Sequence, residues 1–569
     1  MLASELQSVI IEFEVKKTIE KNRSFKRGEF WQKFKQWWQK NWSIVALLVY
    51  AFLIRAVYPL TESFVFRFDH GKDSLAVMDL ILNGNLKFVG PWTSIPGLFF
   101  GPAWYYFLGI CYLIGNLTPV AGIWGMIGLI LWQIWLMDKY FGKLPAVIIA
   151  TGSLWITISS SAWNPYPLPL VSLGLIIILK KLIEKNEKKD GQKEQLKWYL
   201  KQFFWLGFLM ALGLHFSSAY AVFYLLIIPA AIGIGKIKIN WQRIIAAGAG
   251  FLVPSIPQIL FELKNNFMEI RAVFDYLFNA ESSRASENYS LPFILKSSLG
   301  EMKNALIPDL RLGSESLTQT VNLILLIGFL ILTLGAIVVF CKKHRSDFKK
   351  DRAFLLILGL FIFIPLIGIS LLHFNIWYLL GLLPAVVILI TYFWKTLPKK
   401  IILGWMLIVL IIPIINLYHF FNYDVNDFFA NDYMFFKPTK NAIEAIKKDV
   451  GNRNFAVFTF VPDIYDFSWQ YLWLLGATKG EKLPVYFAYQ KEAPIYAKEK
   501  PALMERFNYE ENSELSEINY YVMGGGVANE ELKYFEEWLG MQDDDPRAGR
   551  LIMTTEGEAA IQVFAVEQR

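Results

Sequence analysis

Long apolar runs separated by short polar connections dominate the chain from about residue 43 to residue 420. Several runs reach about 18–20 residues, which is enough for a helix to cross a hydrocarbon core of about 30 Å. The pattern therefore predicts a polytopic α-helical membrane protein. It predicts eleven spans, at about residues 43–60, 119–137, 144–160, 166–180, 203–216, 218–235, 244–262, 318–341, 353–372, 376–394 and 401–420.

One apolar run, Pro96–Gly115, is aromatic and is interrupted by Gly101 and Pro102. Counting it as a further span would place the lysine-rich connection Lys180–Lys201 outside, which the positive-inside rule disfavours. We therefore predict that residues 61–118 form one external loop with a re-entrant second half. Such backbone is allowed at membrane depth only where protein buries it or where it lines a cavity. This topology predicts a cytoplasmic N-terminus and an extracytoplasmic C-terminus.

The composition changes after about residue 438, where short strand patterns alternate with helical spacing. The predicted helix is Asn441–Val450, and the predicted strands are Phe455–Val461, Ile518–Met523, Leu551–Met553 and Ile561–Val566. We predict three regions: a cytoplasmic basic tail (1–42), a transmembrane catalytic domain (43–421) and a small extracytoplasmic α/β domain (438–569).

The composition supports this fold class and disfavours several functions. Of the 569 residues, 55% are hydrophobic and 18% are charged, against about 45–50% and about 25% in soluble proteins. Cys111 and Cys341 lie far apart and suggest neither a disulfide framework nor a zinc site. The net charge of +7 comes from lysines between apolar runs, so topology explains it better than nucleic-acid binding. A nucleotide site is disfavoured because neither a P-loop nor a dinucleotide fingerprint is present.

Charged residues concentrate in the stretch from Phe66 to Phe107. Eleven residues contain Asp69, His70, Lys72, Asp73 and Asp79. Charges beside a bilayer cost free energy, which favours a functional interpretation. A helix would place Asp69 and Asp73 on one face, where their repulsion can be relieved by a cation, by Lys72 or by a raised pKa. We predict Asp69 and Asp73 as catalytic residues, and the alternative is a solvated helix face at the membrane surface.

Other polar residues near the outer ends of spans are candidates for substrate binding. Arg55 could receive a lipid phosphate, pair with Asp69, or extend its side chain to the interface. His215 is an intramembrane histidine and could instead bond to a carbonyl. We predict no metal ligands, with a divalent cation as an alternative. The predicted substrate-binding residues are Arg55, His70, Lys72, His215, Glu262, Arg271, Arg284 and His373.

Several motifs carry a family resemblance over about residues 43–420. The stretches are Phe68–Asp73, Gly90–Leu98, Gly101–Tyr106, Trp163–Pro165, Leu212–His215 and Trp377–Leu380 before Leu383-Pro384. Together they resemble the GT-C glycosyltransferases. The closer similarity is to the bacterial family 39 and lipid A aminoarabinose transferase-like enzymes, which are related to the dolichyl-phosphate-mannose-protein mannosyltransferases.

The resemblance implies a polyprenyl-phosphate-linked sugar donor that is used on the outer side of the membrane. Asp69 matches the first-loop acid of the family, which serves as a base or binds the acceptor or a metal. The second loop departs from the family pattern, because many members carry an acidic residue where this chain has Trp163, Asn164, Pro165 and Tyr166. That role would fall to Asp73 or Glu262, or stay unfilled.

We therefore predict a hexosyl- or pentosyltransferase of the plasma membrane that acts at its outer face. Asp69 would deprotonate the acceptor, and cations from Arg55, Arg271 or Arg284 would stabilise the leaving phosphate. The expected partners are the lipid-linked donor, a lipid, glycan or protein acceptor, and membrane lipids. Two alternatives remain: a flippase or transporter of lipid-linked saccharides, and a glycan polymerase or ligase with the same donor chemistry.

Overall fold

The computed structural model of the chain describes residues 31–32, 35–186, 192–278, 291–343, 345–372, 375–462, 465–525, 532–557 and 560–568. The described residues fall into two compact units, divided between residues 51 and 52. The described residues of the first unit are helical. Most of them belong to helix α1, Lys35–Leu60, which ends in the second unit.

Helices make up the second unit as far as residue 431, apart from their connections. A 3₁₀ segment, Ile376–Leu382, and a π segment, Phe420–Asp424, adjoin two of them. The helices are α2 Phe68–Leu82, α3 Ala103–Ile114, α4 Pro119–Phe141, α5 Lys143–Thr151, α6 Ser153–Ser159, α7 Leu168–Asn186, α8 Gln192–Phe216, α9 Ser218–Ala221, α10 Tyr224–Ile234, α11 Trp241–Lys264, α12 Met268–Phe278, α13 Leu291–Leu306, α14 Glu315–Lys343, α15 Arg345–Leu372, α16 Leu383–Trp394, α17 Lys399–His419 and α18 Phe428–Asn431.

Seven helical segments within the described ranges are long and apolar enough to cross a membrane. They are Lys35–Leu60, Pro119–Phe141, Trp241–Lys264, Glu315–Lys343, Lys350–Ser370, Ile376–Trp394 and Lys399–Asp424. The polytopic helical class is thereby confirmed.

Four predicted spans have no counterpart among these seven segments: 144–160, 166–180, 203–216 and 218–235. The first is divided at Gly152 into α5 and α6, of 9 and 7 residues. Helices α7 and α8 carry several charged residues in one of their halves. The count of eleven spans and the sides of the two termini therefore stay predictions.

The loop that was predicted to be external contains α2 and α3, joined by a hairpin-like turn. Its backbone bonds run from Gly90 N to Phe100 O (2.7 Å) and from Phe100 N to Pro91 O (2.9 Å). Helix α3 has 12 residues and a length of about 18 Å, too short to cross a bilayer. Every residue of α2 from His70 to Asp79 is buried. Protein therefore surrounds the helix that carries the acidic cluster.

The C-terminal region contains a five-stranded mixed sheet flanked by helices. The strand order is β2-β1-β3-β5-β4, with β1 parallel to β2 and β3, and β5 antiparallel to β3 and β4. This confirms the predicted α/β domain, whereas the three-residue β2 was not predicted. The elements are α19 Phe436–Val450, β1 Phe455–Phe460, α20 Phe467–Ala477, β2 Tyr486–Ala488, α21 Lys500–Arg506, β3 Ile518–Gly524, α22 Leu532–Gly540, β4 Arg550–Thr554 and β5 Ile561–Glu567.

The C-terminal region packs directly against the acidic helix. A Cβ on Gly71 of α2 would lie 2.2 Å from the backbone nitrogen of Ser468 in α20. Only glycine permits so close an approach without a backbone shift. The backbone bonds Phe66 N to Met434 O (2.9 Å) and Phe436 N to Phe64 O (3.0 Å) lie beside this contact. The first loop and the C-terminal region therefore form one packed structure around α2.

Candidate active site

A cavity of about 520 Å³ opens beside the first turn of α2. Residues 65 and 67–70 form one wall, residues between 157 and 166 form a second, and Met434 with Pro462 contribute from the C-terminal region. Pockets of about 300–1,000 Å³ are typical for small-molecule sites. Asp69 and His70 of the predicted site lie in this cavity, and Lys72 and Asp73 lie on the following turn of the helix.

Asp69 is the accessible carboxylate of the cluster. Its Oδ1 accepts a hydrogen bond from Lys72 Nζ at 2.9 Å, and its Oδ2 accepts one from Trp163 Nε1 at 3.2 Å. Burial alone would raise the pKa of Asp69, but Lys72, His70 and the Trp163 hydrogen bond together hold it below the usual range. The side chain is 41% exposed. Asp69 is therefore an ionised acceptor that a ligand in the cavity can reach.

His70 faces the second loop, which contributes Ser161. The ring Nε2 lies 2.9 Å from Ser161 Oγ. Burial lowers the pKa of His70 to about 4, although Asp69 acts in the opposite direction. At neutral pH the imidazole is therefore uncharged, and it can donate or accept a hydrogen bond in the cavity wall.

Asp73 has a different environment from Asp69. Its side chain is 1% exposed and its Oδ2 accepts a hydrogen bond from Trp104 Nε1 at 2.9 Å. Burial raises the pKa of Asp73 to about 7, with Lys72 acting in the opposite direction. Because the residue is buried against α3, it is placed to support the helix rather than to contact a ligand in the cavity.

Lys72 contacts two aromatic rings as well as the Asp69 carboxylate. Its ammonium lies 5.2 Å from the ring centroid of Phe68 and 5.0 Å from that of Trp92. Both distances are within the range of cation–π attraction. Its side chain is 8% exposed, so it is a fixed counter-charge for Asp69.

Asp79 is held by the loop that follows α2. Its carboxylate accepts hydrogen bonds from Asn83 (2.9 Å), Asn85 (2.8 Å) and Lys87 (2.7 Å). Because Asp79 is buried and accepts all three of these hydrogen bonds, it fixes the path of the chain from the end of α2 to the hairpin-like turn. The fifth charged residue of the cluster is accordingly structural.

Arg67 is an exposed cation in the wall of the cavity, two residues before Asp69. It immediately precedes α2, and its Nη1 lies 3.2 Å from Met434 Sδ. Arg67 was not among the predicted site residues, although it lies directly before the acidic cluster in the sequence. Arg67 gives the cavity a positive charge beside the Asp69 carboxylate.

Arg55 is fully buried and bonds to backbone. Its guanidinium donates to Ala150 O at 2.9 Å and to Ile149 O at 3.2 Å. These carbonyls lie in the last turn of α5, where helix carbonyls have no intrahelical partners. In this structure Arg55 caps the break between α5 and α6, and it is not among the described residues that line the cavity.

His215 and Glu262 also bond to backbone groups. Ala103 N donates to His215 Nδ1 at 3.2 Å, and a Cβ on Gly101 would lie 2.3 Å from the His215 ring. Glu262 accepts hydrogen bonds from Glu269 N at 2.8 Å and Ile270 N at 3.1 Å. Glu262 thus binds free amides at the start of α12, while His215 positions the start of α3.

The remaining predicted residues lie elsewhere. Arg271 lines a separate cavity of about 730 Å³ between α12 and the turn at 94–97. Arg284 and His373 lie outside the described residues. No group of three or more His, Cys, Asp or Glu within the described ranges is placed to hold a metal ion. The expectation of no metal ligands, with a divalent cation as the alternative, stays a prediction.

The site includes further residues that the sequence did not identify as site residues. Ser161 and Tyr166 line the cavity from the second loop, and Met434 and Pro462 line it from the C-terminal region. The Trp-Asn-Pro motif was the one sequence signal that pointed to the second loop. In the structure Trp163 donates a hydrogen bond to Asp69, and Asn164 Nδ2 donates to Phe216 O at 3.1 Å. The C-terminal contribution had no local motif.

Comparisons with known proteins give similarities to solved structures. No model of a known protein family matches the chain, and no curated protein matches it. ArnT from Cupriavidus metallidurans bound to undecaprenyl phosphate is 11% identical, with 92% of this chain and 98% of that chain covered and a TM-score of 0.41. The Archaeoglobus fulgidus oligosaccharyltransferase in complex with Zn and sulfate is 12% identical, covering 89% and 71%, with a TM-score of 0.44.

A third similar structure is archaeal AglB from Archaeoglobus fulgidus in complex with an inhibitory peptide and a dolichol-phosphate. It is 13% identical, covering 90% of this chain and 73% of that chain, with a TM-score of 0.42. ArnT and the oligosaccharyltransferase both have the GT-C fold.

Proposed function

We propose that the chain is an integral-membrane glycosyltransferase that moves a hexosyl or pentosyl group from a polyprenyl-phosphate-linked donor to an acceptor at the outer face of the membrane. The observation that supports this most is that the Asp69 carboxylate and the Arg67 cation line the same cavity. A donor with a phosphate leaving group needs a cation for that phosphate and an acceptor for the proton of the attacking hydroxyl.

The proposed step is a single displacement at the anomeric carbon. The acceptor oxygen forms a bond to this carbon while the bond from the carbon to the lipid-phosphate oxygen breaks. The electron pair of the broken bond leaves with the phosphate, whose charge Arg67 stabilises. The hydroxyl proton passes to Asp69. Because the pKa of Asp69 is held low, the transfer is expected late, when bond formation has made the hydroxyl acidic.

Lys72 and Trp163 hold the base in place during this step. Each donates to a different oxygen of Asp69, which fixes the plane of the carboxylate. Because the carboxylate is already held in one orientation, it loses little further conformational entropy when the transition state forms. His70 borders the same cavity and, being uncharged, can hydrogen-bond a sugar hydroxyl without competing for the phosphate.

The test is a transfer assay with the purified protein. It supplies radiolabelled polyprenyl-phosphate sugars with cell-envelope lipids and glycans, with and without EDTA. Asp69→Asn is expected to lower the rate by about 10²–10⁴, the usual contribution of a general base. Glu62→Gln is the matched control, because Glu62 lies in the same loop as Asp69 but pairs with Lys440 of α19, at 2.9 Å.

Arg67→Gln separates donor binding from proton transfer. Loss of the phosphate contact is expected to slow transfer while the pH profile keeps its wild-type form. Equal transfer by wild type and Asp69→Asn would remove Asp69 from the mechanism. Movement of the intact lipid-linked saccharide across the membrane, with no transfer from any donor, would favour a transporter instead.

A further inference from the structure

A third cavity, of about 860 Å³, lies in the C-terminal region. Its wall includes Gln470 of α20, Tyr486 of β2, Tyr496, and Tyr509 beyond α21. Aromatic rings among polar groups are typical of small-molecule sites with a few orienting hydrogen bonds. The glycosyl-transfer step proposed above makes no use of this cavity.

Gln470 presents an unsatisfied hydrogen-bond acceptor there. The residue is 1% exposed, and its Nε2 donates to Asp466 Oδ1 at 3.0 Å and to the Tyr496 hydroxyl. Tyr496 in turn donates to Asp466 at 2.6 Å. A carboxylate can only accept, so this network directs the NH₂ end of Gln470 toward Asp466. Gln470 Oε1 has no partner among the described residues, and buried acceptors are normally satisfied.

The charges of the wall indicate which ligand would satisfy that acceptor. Among the described residues, three carboxylates, Glu505, Glu510 and Glu511, line the cavity with one cation, Lys500. Lys500 Nζ already donates to Phe487 O and Glu511 Oε1, each at 2.6 Å. The wall therefore offers mainly acceptors and repels phosphate groups. A ligand that is rich in hydroxyl donors and carries no negative charge fits this pattern.

Helix α20 connects this cavity to the candidate active site. Phe467, in its first turn, packs edge-on against Phe68 with ring centroids 5.1 Å apart, and Phe68 precedes Asp69. Gln470 lies one turn further along the same helix. A ligand in the C-terminal cavity would therefore be held on an element that also contacts the first turn of α2.

We propose that the C-terminal cavity binds an uncharged saccharide, which is the acceptor glycan of the transfer reaction. Gln470 Oε1 and the carboxylates of Glu505 and Glu511 would accept hydrogen bonds from its hydroxyl groups, with the tyrosines contacting the sugar rings. The acceptor role rests on the proposed glycosyl transfer, whereas saccharide binding does not. This choice selects a glycan over a lipid or a protein as the acceptor.

The test measures binding without turnover, on the full chain in lipid nanodiscs. The probes are maltotriose, chitotriose and a lysine-rich decapeptide, and saturation-transfer NMR reports contact with the protein. Two variants address the cavity: Gln470→Leu removes the acceptor, and Glu505→Trp obstructs the wall from an exposed position. The matched control is Arg506→Trp, the exposed neighbour on the same helix that does not line the cavity. Thermal melting of each variant checks its folding.

Wild type is expected to bind at least one trisaccharide, and Glu505→Trp to weaken this binding at least tenfold. Gln470→Leu is expected to act in the same direction, and Arg506→Trp to leave binding unchanged. Binding of the peptide alone, of no probe, or equally by wild type and Glu505→Trp would overturn the proposal. Asp69→Asn should bind like wild type. If Asp69→Asn also transferred sugar normally, the proposed function would fail while the saccharide site remained.

Discussion

Asp69 and Asp73 lie one helical turn apart on α2, yet their environments differ in almost every respect. Asp69 is 41% exposed and accepts hydrogen bonds from Lys72 and Trp163. Asp73 is 1% exposed and accepts one from Trp104. Interactions hold the pKa of Asp69 low, whereas burial raises that of Asp73 to about 7. Two carboxyls with pKa values pushed apart can have separate tasks.

The comparison shows that the position of a carboxylate on a helix face does not determine its role. The first turn of α2 borders the cavity, while the next turn is enclosed by α3 and α20. Gly71, between the two aspartates, allows α20 to approach so closely. The neighbouring elements therefore leave one carboxylate open to the cavity and bury the other against Trp104.

The largest expected effect concerns the buried aspartate. An Asp whose pKa is raised on folding adds stability at low pH, because the folded state binds a proton that the unfolded state has released. For Asp73 this contribution is present near pH 4 and is lost as the pH rises to about 7. A difference of about three pKa units corresponds to at most about 4 kcal/mol. Asp73→Asn cannot ionise and should therefore lose less stability between pH 5 and pH 8 than wild type does.

Thermal unfolding midpoints in nanodiscs at pH 5 and pH 8 measure this difference. Burial also raises the pKa of Asp466, to about 6, so the comparison with wild type is what isolates Asp73. Glu62→Gln should keep the wild-type pH dependence. If Asp73→Asn lost as much stability as wild type over this range, the buried carboxyl would not be the titrating group.

The fold was more predictable from the sequence than the site was. The strands Phe455–Phe460 and Ile518–Gly524 are continuous apolar runs and are buried along their whole length, so local pattern identifies them. The long apolar spans are equally local signals. The division at Gly152 was missed because the run remains apolar across it, and only the backbone shows the break.

The site depends on contacts that are distant in sequence, and this explains what was missed. Asp69 was identified from local charge, but Met434 and Pro462 reach the cavity through the docking of α20 and its neighbours. Arg55 matched the chemistry of a phosphate ligand, yet it bonds to carbonyls about 95 residues away in sequence. No periodicity in a single sequence reports such pairings.

The next effect in size tests the counter-charge that distinguishes the two aspartates. Lys72→Met removes the ammonium that pairs with Asp69, so the pKa of Asp69 should rise. Removal of an opposite charge raises the pKa of a carboxyl, and solvent screening at this partly exposed side chain limits the rise. Protonation of Asp69 at low pH should stop transfer, which gives the pH–rate profile an acid limb. This acid limb should lie at higher pH in Lys72→Met than in wild type.

The pH dependence of the transfer rate from pH 4 to pH 8 measures this shift. Repeating it in an Asp73→Asn background keeps the second carboxyl from contributing. An acid limb that stays at the wild-type position in both backgrounds would show that Lys72 does not set the ionisation of the base. The matched control is Lys498→Met, because Lys498 also lies over the Trp92 ring, at 5.6 Å, without pairing with Asp69.

The smallest expected effect concerns the single hydrogen bond that the second loop gives to Asp69. Trp163→Phe removes the indole donor but keeps an aromatic ring against Trp377, whose centroid lies 5.5 Å away. Loss of this hydrogen bond should raise the pKa of Asp69 by less than loss of the Lys72 charge does, because the hydrogen bond is the smaller of the two interactions. The acid limb of the pH–rate profile should therefore shift less in Trp163→Phe than in Lys72→Met. Tyr166→Phe, which changes another aromatic residue of the cavity wall, should leave the acid limb at its wild-type position. A shift as large as that of Lys72→Met would mean that the Trp-Asn-Pro loop, rather than the ion pair, controls the base.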